Sequence, residues 1–288
     1  MIWFSLALAG AFFNSSYSLL AKLYRSDTPS SVWAGGAFLF SSLLFFIGSG
    51  ISGIPTIGDN FFPAAIGSAF INVCAALLYL KAVEKADLSL VTPLLSFSLV
   101  FVVLNSFLLL GELPTYLGIT GLVLIFLGVY IISGEQGTIL GPVRALAKNS
   151  GVKSMLVVAL LFSISFVLDK VAVVNSSPLF ASAIITFLSG VTLLLIAKFQ
   201  GHSVLNIIKN KLLLIGLASL TIFLQIFFIA YAMPMTLASY VMAVKRSTIL
   251  FSVLWGGLLL KEPFFKQRLI GASFMLIGLI ILLLFERT

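Results

Sequence analysis

The chain alternates long apolar runs with short polar breaks. Apolar stretches occupy about 2–24, 31–50, 61–81, 88–110, 115–133, 152–174, 178–198, 211–233, 237–260 and 265–285. Each is close to the roughly 20 residues an α-helix needs to cross hydrocarbon. The runs are continuous rather than alternating, which argues against membrane strands, whose residues face lipid and lumen in turn. Inside hydrocarbon every backbone N–H and C=O needs a partner within the segment, so the runs are predicted to be helices. The breaks hold helix-stopping and capping residues: Asp27-Thr28-Pro29-Ser30, Gly58-Asp59-Asn60, Glu112-Leu113-Pro114, Asn175-Ser176-Ser177-Pro178 and Glu262-Pro263. The predicted fold class is an all-α integral membrane protein of ten transmembrane helices.

The longest polar stretch, Ser133 to Ser154, divides the chain into a first five-helix repeat (1–134), a connecting loop (135–151) and a second repeat (152–288). At an offset of 150 residues Ser89 meets Ser239, Phe101 meets Phe251, Glu112 meets Glu262, Gly121 meets Gly271 and Gly128 meets Gly278. Near the start of each half, at a slightly different offset, Ser15 and Lys22 meet Ser163 and Lys170. Five crossings are odd, so the second repeat enters the bilayer from the opposite side. Inverted repeats of this kind place a solute site near the midplane, between the halves.

Composition agrees with lipid as the solvent. The 288 residues are 60% hydrophobic and 9% charged, where a soluble domain needs about a quarter charged. The net charge of +8 does not point to nucleic acid, because the basic residues fall singly and in pairs between apolar runs. Thirteen of the 17, including Lys81, Lys85, Arg144, Lys148, Lys209, Lys211 and Lys261, lie in loops after odd-numbered helices, and Arg287 alone lies on the other side. The positive-inside rule then puts those loops in the cytoplasm and both termini outside, as a multi-pass protein of the cell membrane. The first run has no basic leader and carries polar Asn14 to Ser18, so it reads as a retained helix rather than a signal peptide. The lone Cys74 excludes a disulfide framework and argues against structural zinc. No catalytic triad, nucleotide loop or metal constellation is present in the sequence, and His202 lies in a polar loop. An enzyme is therefore not expected, nor is a cofactor.

The remaining basic residues lie inside helices, and they carry the candidate chemistry. Lys245-Arg246 sits within the ninth run. A cation at that depth costs about 2.5–3.5 kcal/mol on insertion scales, so the pair needs a wet cavity, an anion or a protein acid. In a continuous helix Lys245 shares a face with Thr248 and Ser252, and Arg246 with Ser239 and Met242. One reading is an anion clamp, with Arg supplying a planar fork and Lys a mobile charge. The other is a pairing with Asp169, or a pair that snorkels near a helix end. Asp169-Lys170 in the sixth run is a second site candidate, as counter-ion, proton carrier or snorkelled lysine. Asn14, Ser96 and Tyr240 add polar groups that line a hydrated cavity or bridge helices. Glu112 and Glu262 read as structural, pairing with nearby lysines or capping the following helix.

These features together resemble the drug/metabolite transporter superfamily in its ten-span, EamA-like branch. The carrying residues are Leu80 to Pro93, Leu109-Leu110-Gly111-Glu112 with Gly118, Gly121 and Gly128, and their repetition in Leu259-Leu260-Lys261-Glu262-Pro263, Gly271 and Gly278. The resemblance implies alternating access around a central cavity. Within the superfamily, Lys245-Arg246 resembles the ninth-span Lys-Arg pair of triose-phosphate/phosphate translocators, which is implied to hold substrate phosphate. Those translocators also have a basic residue in the fourth span, and Thr92 to Asn105 has none. The small multidrug branch uses a first-span acid, and Met1 to Leu20 has none. The expectation is a secondary transporter of a small anionic or zwitterionic metabolite, with membrane lipids as its surroundings. The alternatives are a flippase or scramblase for an anionic lipid headgroup, or an exporter of amino-acid-like solutes.

Overall fold

Helices account for every regular element that the structure, a computed structural model, describes over residues 1–24, 28–53, 55–85, 92–133, 150–258 and 265–284. In chain order these are α1 (Ile2–Tyr24), α2 (Ser30–Ser52), α3 (Phe61–Lys85), α4 (Phe97–Leu110), α5 (Tyr116–Ser133), α6 (Ser150–Val174), α7 (Pro178–Phe199), α8 (Val204–Asn210), α9 (Leu212–Ala232), α10 (Ala238–Lys245), α11 (Thr248–Leu258) and α12 (Phe265–Leu284). Short 3₁₀ segments, Thr92–Ser96 and Met233–Met235, precede α4 and follow α9. Six helices among the described residues are long and apolar enough to cross a membrane, and Leu94–Leu110, Tyr116–Ile132 and Ile270–Leu284 form shorter apolar ones.

Local chemistry sets several of the ends. Ser177 Oγ accepts the Phe180 N–H at 3.2 Å, and Pro178 follows as the first residue of α7, where its missing N–H costs nothing. Gly111 stops α4 in the left-handed region at φ 68°, returning its N–H to Phe107 O at 3.0 Å.

Two expectations need correction. The polar loop predicted between the seventh and eighth runs contains the short helix α8. The ninth run is two helices, α10 and α11, with Arg246 and Ser247 in the turn between them.

Burial is inverted relative to a soluble protein. Large apolar side chains such as Phe70, Leu108, Leu213 and Ile277 point outward, while Ser41, Ser42, Ser106, Ser163 and many alanines are buried. Lipid is as apolar as leucine, so association rests on close packing and hydrogen bonds between small residues.

The helices form two compact units that cut across the repeats. The Asp169 unit comprises Ile2–Val73 and Leu168–Met235; the Arg246 unit comprises Cys74–Val167 and Thr236–Thr288, with Met1. Helices α3 and α6 contribute to both.

In the Asp169 unit, Trp33, Ala37, Ile215, Ala218 and Ile222 make one core cluster and Phe45, Leu179 and Ala183 another. Phe13 stacks on Phe228 with ring centroids 5.8 Å apart. Gly35 lies against Leu194 and Gly190 against Leu39, so α2 and α7, equivalent helices of the two halves, run antiparallel.

The Arg246 unit has its own core of Ala82, Leu94, Val152, Met155 and Val158. Its tightest crossing joins α5 to α12. A Cβ on Gly128 would lie 2.5 Å from Gly271 O, and one on Gly278 would lie 2.6 Å from Gly121 O. Each glycine therefore meets the repeat mate of the other, across an antiparallel pair. That is the packing expected of an inverted repeat.

Candidate functional site

The break between α10 and α11 places Lys245 and Arg246 beside the Leu95–Ser98 segment. The helical ladder tightens here: Ser247 N–H bonds to Val244 O at 2.9 Å and Ile249 N–H to Arg246 O at 3.0 Å, three residues back rather than four. Thr248 Oγ1 donates to Lys245 O at 2.7 Å, giving the last carbonyl of α10 a side-chain partner. The repeat mate of this break, 150 residues earlier, is the junction of Ser96 and Phe97, where the 3₁₀ segment Thr92–Ser96 passes into α4. Pro93 has no N–H to continue a regular ladder there.

The two junctions are bonded to one another. Arg246 Nη2 donates to Leu95 O at 3.1 Å and, by a short contact, to Ser98 Oγ. At the far ends of the same pair, Glu112 Oε2 accepts the Ala238 N–H at 2.7 Å. Glu112 thus caps α10 of the second repeat. A carboxylate suits that position because a helix N-terminus carries partial positive charge. Glu262 lies outside the described residues.

Among the described residues the hydrogen-bond partners of the Arg246 guanidinium are neutral, and its Nε is buried with no partner. The hydroxyls of Ser247 and Ser239 are also buried and unpartnered. Lys245 Nζ stands 5.2 Å from the centroid of the Phe166 ring, within range of a cation–π attraction. The Arg246 guanidinium therefore sits at a helix break among dipolar neighbours, an arrangement suited to an anion.

Of the other predicted residues, Ser96 is buried at the junction itself and Tyr240 is buried one helix turn and more before it. Tyr240 Oη accepts the Thr115 N–H at 3.3 Å and lies 3.4 Å from Thr115 Oγ1, with its ring against Gly118. Ser252 is exposed. The break also removes the continuous helix face on which Thr248 and Ser252 were aligned with Lys245. Asn14, Asp169 and Lys170 belong to the other unit. There Asn14 O accepts from Ser18 Oγ at 3.0 Å, Lys170 is 6% exposed, and Asp169 Oδ1 takes a short hydrogen bond from Ser68 Oγ. Among the described residues no group of three or more metal-ligating side chains is found.

Sequence reasoning did not select Leu95, Phe166 or Ser68. Leu95 acts through its carbonyl and Phe166 through its ring face, and neither leaves a polar mark in the sequence. Ser68 had a signal, standing four residues before Asn72 and thus on the same helix face.

Comparison with known proteins bears on the whole chain. A search of the curated proteins finds no match. Among solved structures the chain is similar to one titled only "Crystal structure of protein", with 12% identity, a TM-score of 0.78 and coverage of 99% of this chain and 97% of that one. At that identity the likeness shows the fold alone. The sequence profile of the EamA-like transporter family matches residues 1–134 and 149–284. With both halves matched, the chain belongs to the EamA-like transporter family and is a multi-pass membrane transporter of small solutes.

Proposed function

We propose that the chain is a secondary carrier of the ten-span branch, working by alternating access in the cell membrane. It binds the anionic group of a small anionic or zwitterionic metabolite at Lys245 and Arg246. One observation carries this reading: the Arg246 guanidinium sits at a helix break with neutral partners and a buried, unpartnered Nε. An uncompensated cation at that depth is unfavourable when the site is empty and is neutralised by a bound anion. Exchange of one anion for another, or coupling to an ion, follows more naturally than uniport of a cation. The Lys-Arg order resembles the ninth-span pair of triose-phosphate/phosphate translocators, and the likeness rests on these two residues alone. Thr248, Ser252, Ser96 and Tyr240 are its neutral companions; Asn14, Asp169 and Lys170 are the candidates in the other unit.

The test is uptake by purified protein in liposomes. Solutes are first chosen by thermal shift against phosphorylated, carboxylated and cationic metabolites. One charge-assisted hydrogen bond contributes about 1.5–3 kcal/mol, so Lys245→Gln and Arg246→Gln are each expected to lower uptake of the anion by about tenfold or more. Uptake unchanged in both variants refutes the reading. Stabilisation by anionic lipid headgroups, and by no soluble anion, replaces it with the flippase alternative.

A further inference from the structure

The connection between α7 and α9 carries chemistry that the transport reading does not use. It runs from Lys198 to Leu213 by way of the short helix α8 and belongs wholly to the Asp169 unit. Ser31 Oγ of α2 donates to Gln200 Oε1 at 3.5 Å. A Cβ on Gly36 of α2 would lie 3.0 Å from Ile215 Cγ2 and 4.0 Å from Ile208 Cδ1. One side of the connection is therefore fastened to the first two turns of α2. The other side is bare. No residue of α8 is buried. Phe199, Leu205 and Leu213 are 89%, 75% and 76% exposed. Lys198 and Lys209 are exposed as well, and Lys211 is half-buried.

This mixture selects its surroundings. Water suits the lysines but not a run of large exposed apolar side chains; hydrocarbon suits the apolar side chains but not the lysines. The boundary between the two suits both, because apolar side chains sink among acyl chains while lysines reach out to the headgroups. Leu205 and Lys209 are four residues apart and share one face of α8. The charge of the segment has no acid in sequence to offset it. Lys198, Lys209 and Lys211 are accompanied by His202, and no Asp or Glu occurs between Asp169 and Glu262. Lys81 and Lys85, by contrast, have Glu84 and Asp87 beside them. Asp59 and Asp169 lie toward the other end of α7: Gly58 N–H bonds to Asn175 O at 2.8 Å, and α6 ends at Val174. The 22 residues of α7 span about 33 Å, several times the distance over which salt screens exposed charges. The neighbouring connection between α1 and α2 adds Lys22 and Arg25 against Asp27 in sequence.

We propose that Lys198, Lys209 and Lys211 bind the headgroup of an anionic phospholipid, with Phe199, Leu205 and Leu213 set among its acyl chains. Helix α8 then lies in the membrane interface and not in the water beyond it. The orientation read from the basic loops puts this end of the unit at the cytoplasmic leaflet, where anionic lipids supply the complementary charge. The proposal does not rest on the anion reading at Lys245 and Arg246, which belong to the other unit.

Two measurements on the full chain test it. Native mass spectrometry in detergent compares binding of phosphatidylglycerol with binding of phosphatidylcholine of the same chain length. One lysine beside an anionic surface contributes about fivefold, so the wild type is expected to prefer phosphatidylglycerol by about tenfold or more. Lys198→Gln, Lys209→Gln and Lys211→Gln are each expected to weaken phosphatidylglycerol binding by about fivefold, and the triple variant to lose the preference. Glycerophosphoglycerol, the same headgroup without acyl chains, is expected not to compete at equal concentration. Competition by it, or a preference kept in the triple variant, overturns the proposal. So does a preference lost in Arg246→Gln alone, which would put the lipid at the transport site. The second measurement places a nitroxide at Leu205→Cys in a Cys74→Ser background, in vesicles of phosphatidylcholine and phosphatidylglycerol. Lipid-soluble oxygen is expected to relax the label more than a water-soluble nickel chelate does. The reverse order would put α8 in water, and shielding from both would mean that protein covers it; either result overturns the proposal.

Discussion

Replacing Gly128 with alanine tests the antiparallel crossing of α5 and α12. The added Cβ would stand 2.5 Å from Gly271 O, 2.5 Å from Met275 Cγ and 2.8 Å from Met275 N. The methionine side chain is able to turn away, but the other two atoms are backbone of an intact helix. Ordinary van der Waals contact begins at 3.4 Å, so the helices must part by about 0.9 Å at this point, in a core that does not deform smoothly. Overpacking of this kind costs about 1–3 kcal/mol, and the parting also weakens the dispersion contacts along the neighbouring turns. For a chain of this size the melting temperature is expected to fall by about 2–12 °C. The assay is thermal unfolding of the purified protein in detergent, followed by loss of its monodisperse size-exclusion peak. Gly50→Ala serves as the control, since a Cβ there meets nothing within 4 Å. A G128A protein that melts with wild type, while G50A melts lower, would refute the close-packing argument.

Other perturbations probe the α4 and α10 pairing. Glu112→Ala leaves the Ala238 N–H without its acceptor and is expected to destabilise by about 1–2 kcal/mol in the same melting assay; melting like wild type would show that the cap contributes nothing. Tyr240→Phe loses the long contacts to Thr115 and is expected to cost about 0.5–1 kcal/mol. Tyr240→Ala opens a cavity beside Gly118 and is expected to cost about 3–5 kcal/mol; equal effects of the two would mean that the ring does not pack.

The pattern of apolar runs foretold most helices within a few residues, because hydrocarbon imposes both a length and a closed hydrogen-bond ladder on each segment. The glycine matches were legible for a related reason. Gly121, Gly128, Gly271 and Gly278 pack against one another in pairs, so a geometric need common to both halves appears as one fixed offset in the sequence. The division into compact units was not legible. A repeat records kinship between segments, whereas α2 with α7 and α5 with α12 pack across the halves.

The backbone of the candidate site differs from the continuous helix that the sequence predicts. Val244 to Thr248 contains no proline or glycine, so nothing local announces that the helix stops at Lys245. The break is held by tertiary bonds, Arg246 to Leu95 O and Ser98, together with the Thr248 hydroxyl on Lys245 O. In the other half the corresponding irregularity is visible, because Pro93 removes a donor. The partners of Arg246 were hidden for the same kind of reason. Reasoning from charge looks for an acid opposite an arginine, while Arg246 bonds a backbone carbonyl, which every residue possesses and no sequence pattern marks. Held by dipoles rather than by a carboxylate, the guanidinium keeps its charge uncancelled. The proposed anion site rests on that distinction, because a salt bridge already made would leave the guanidinium no charge to offer.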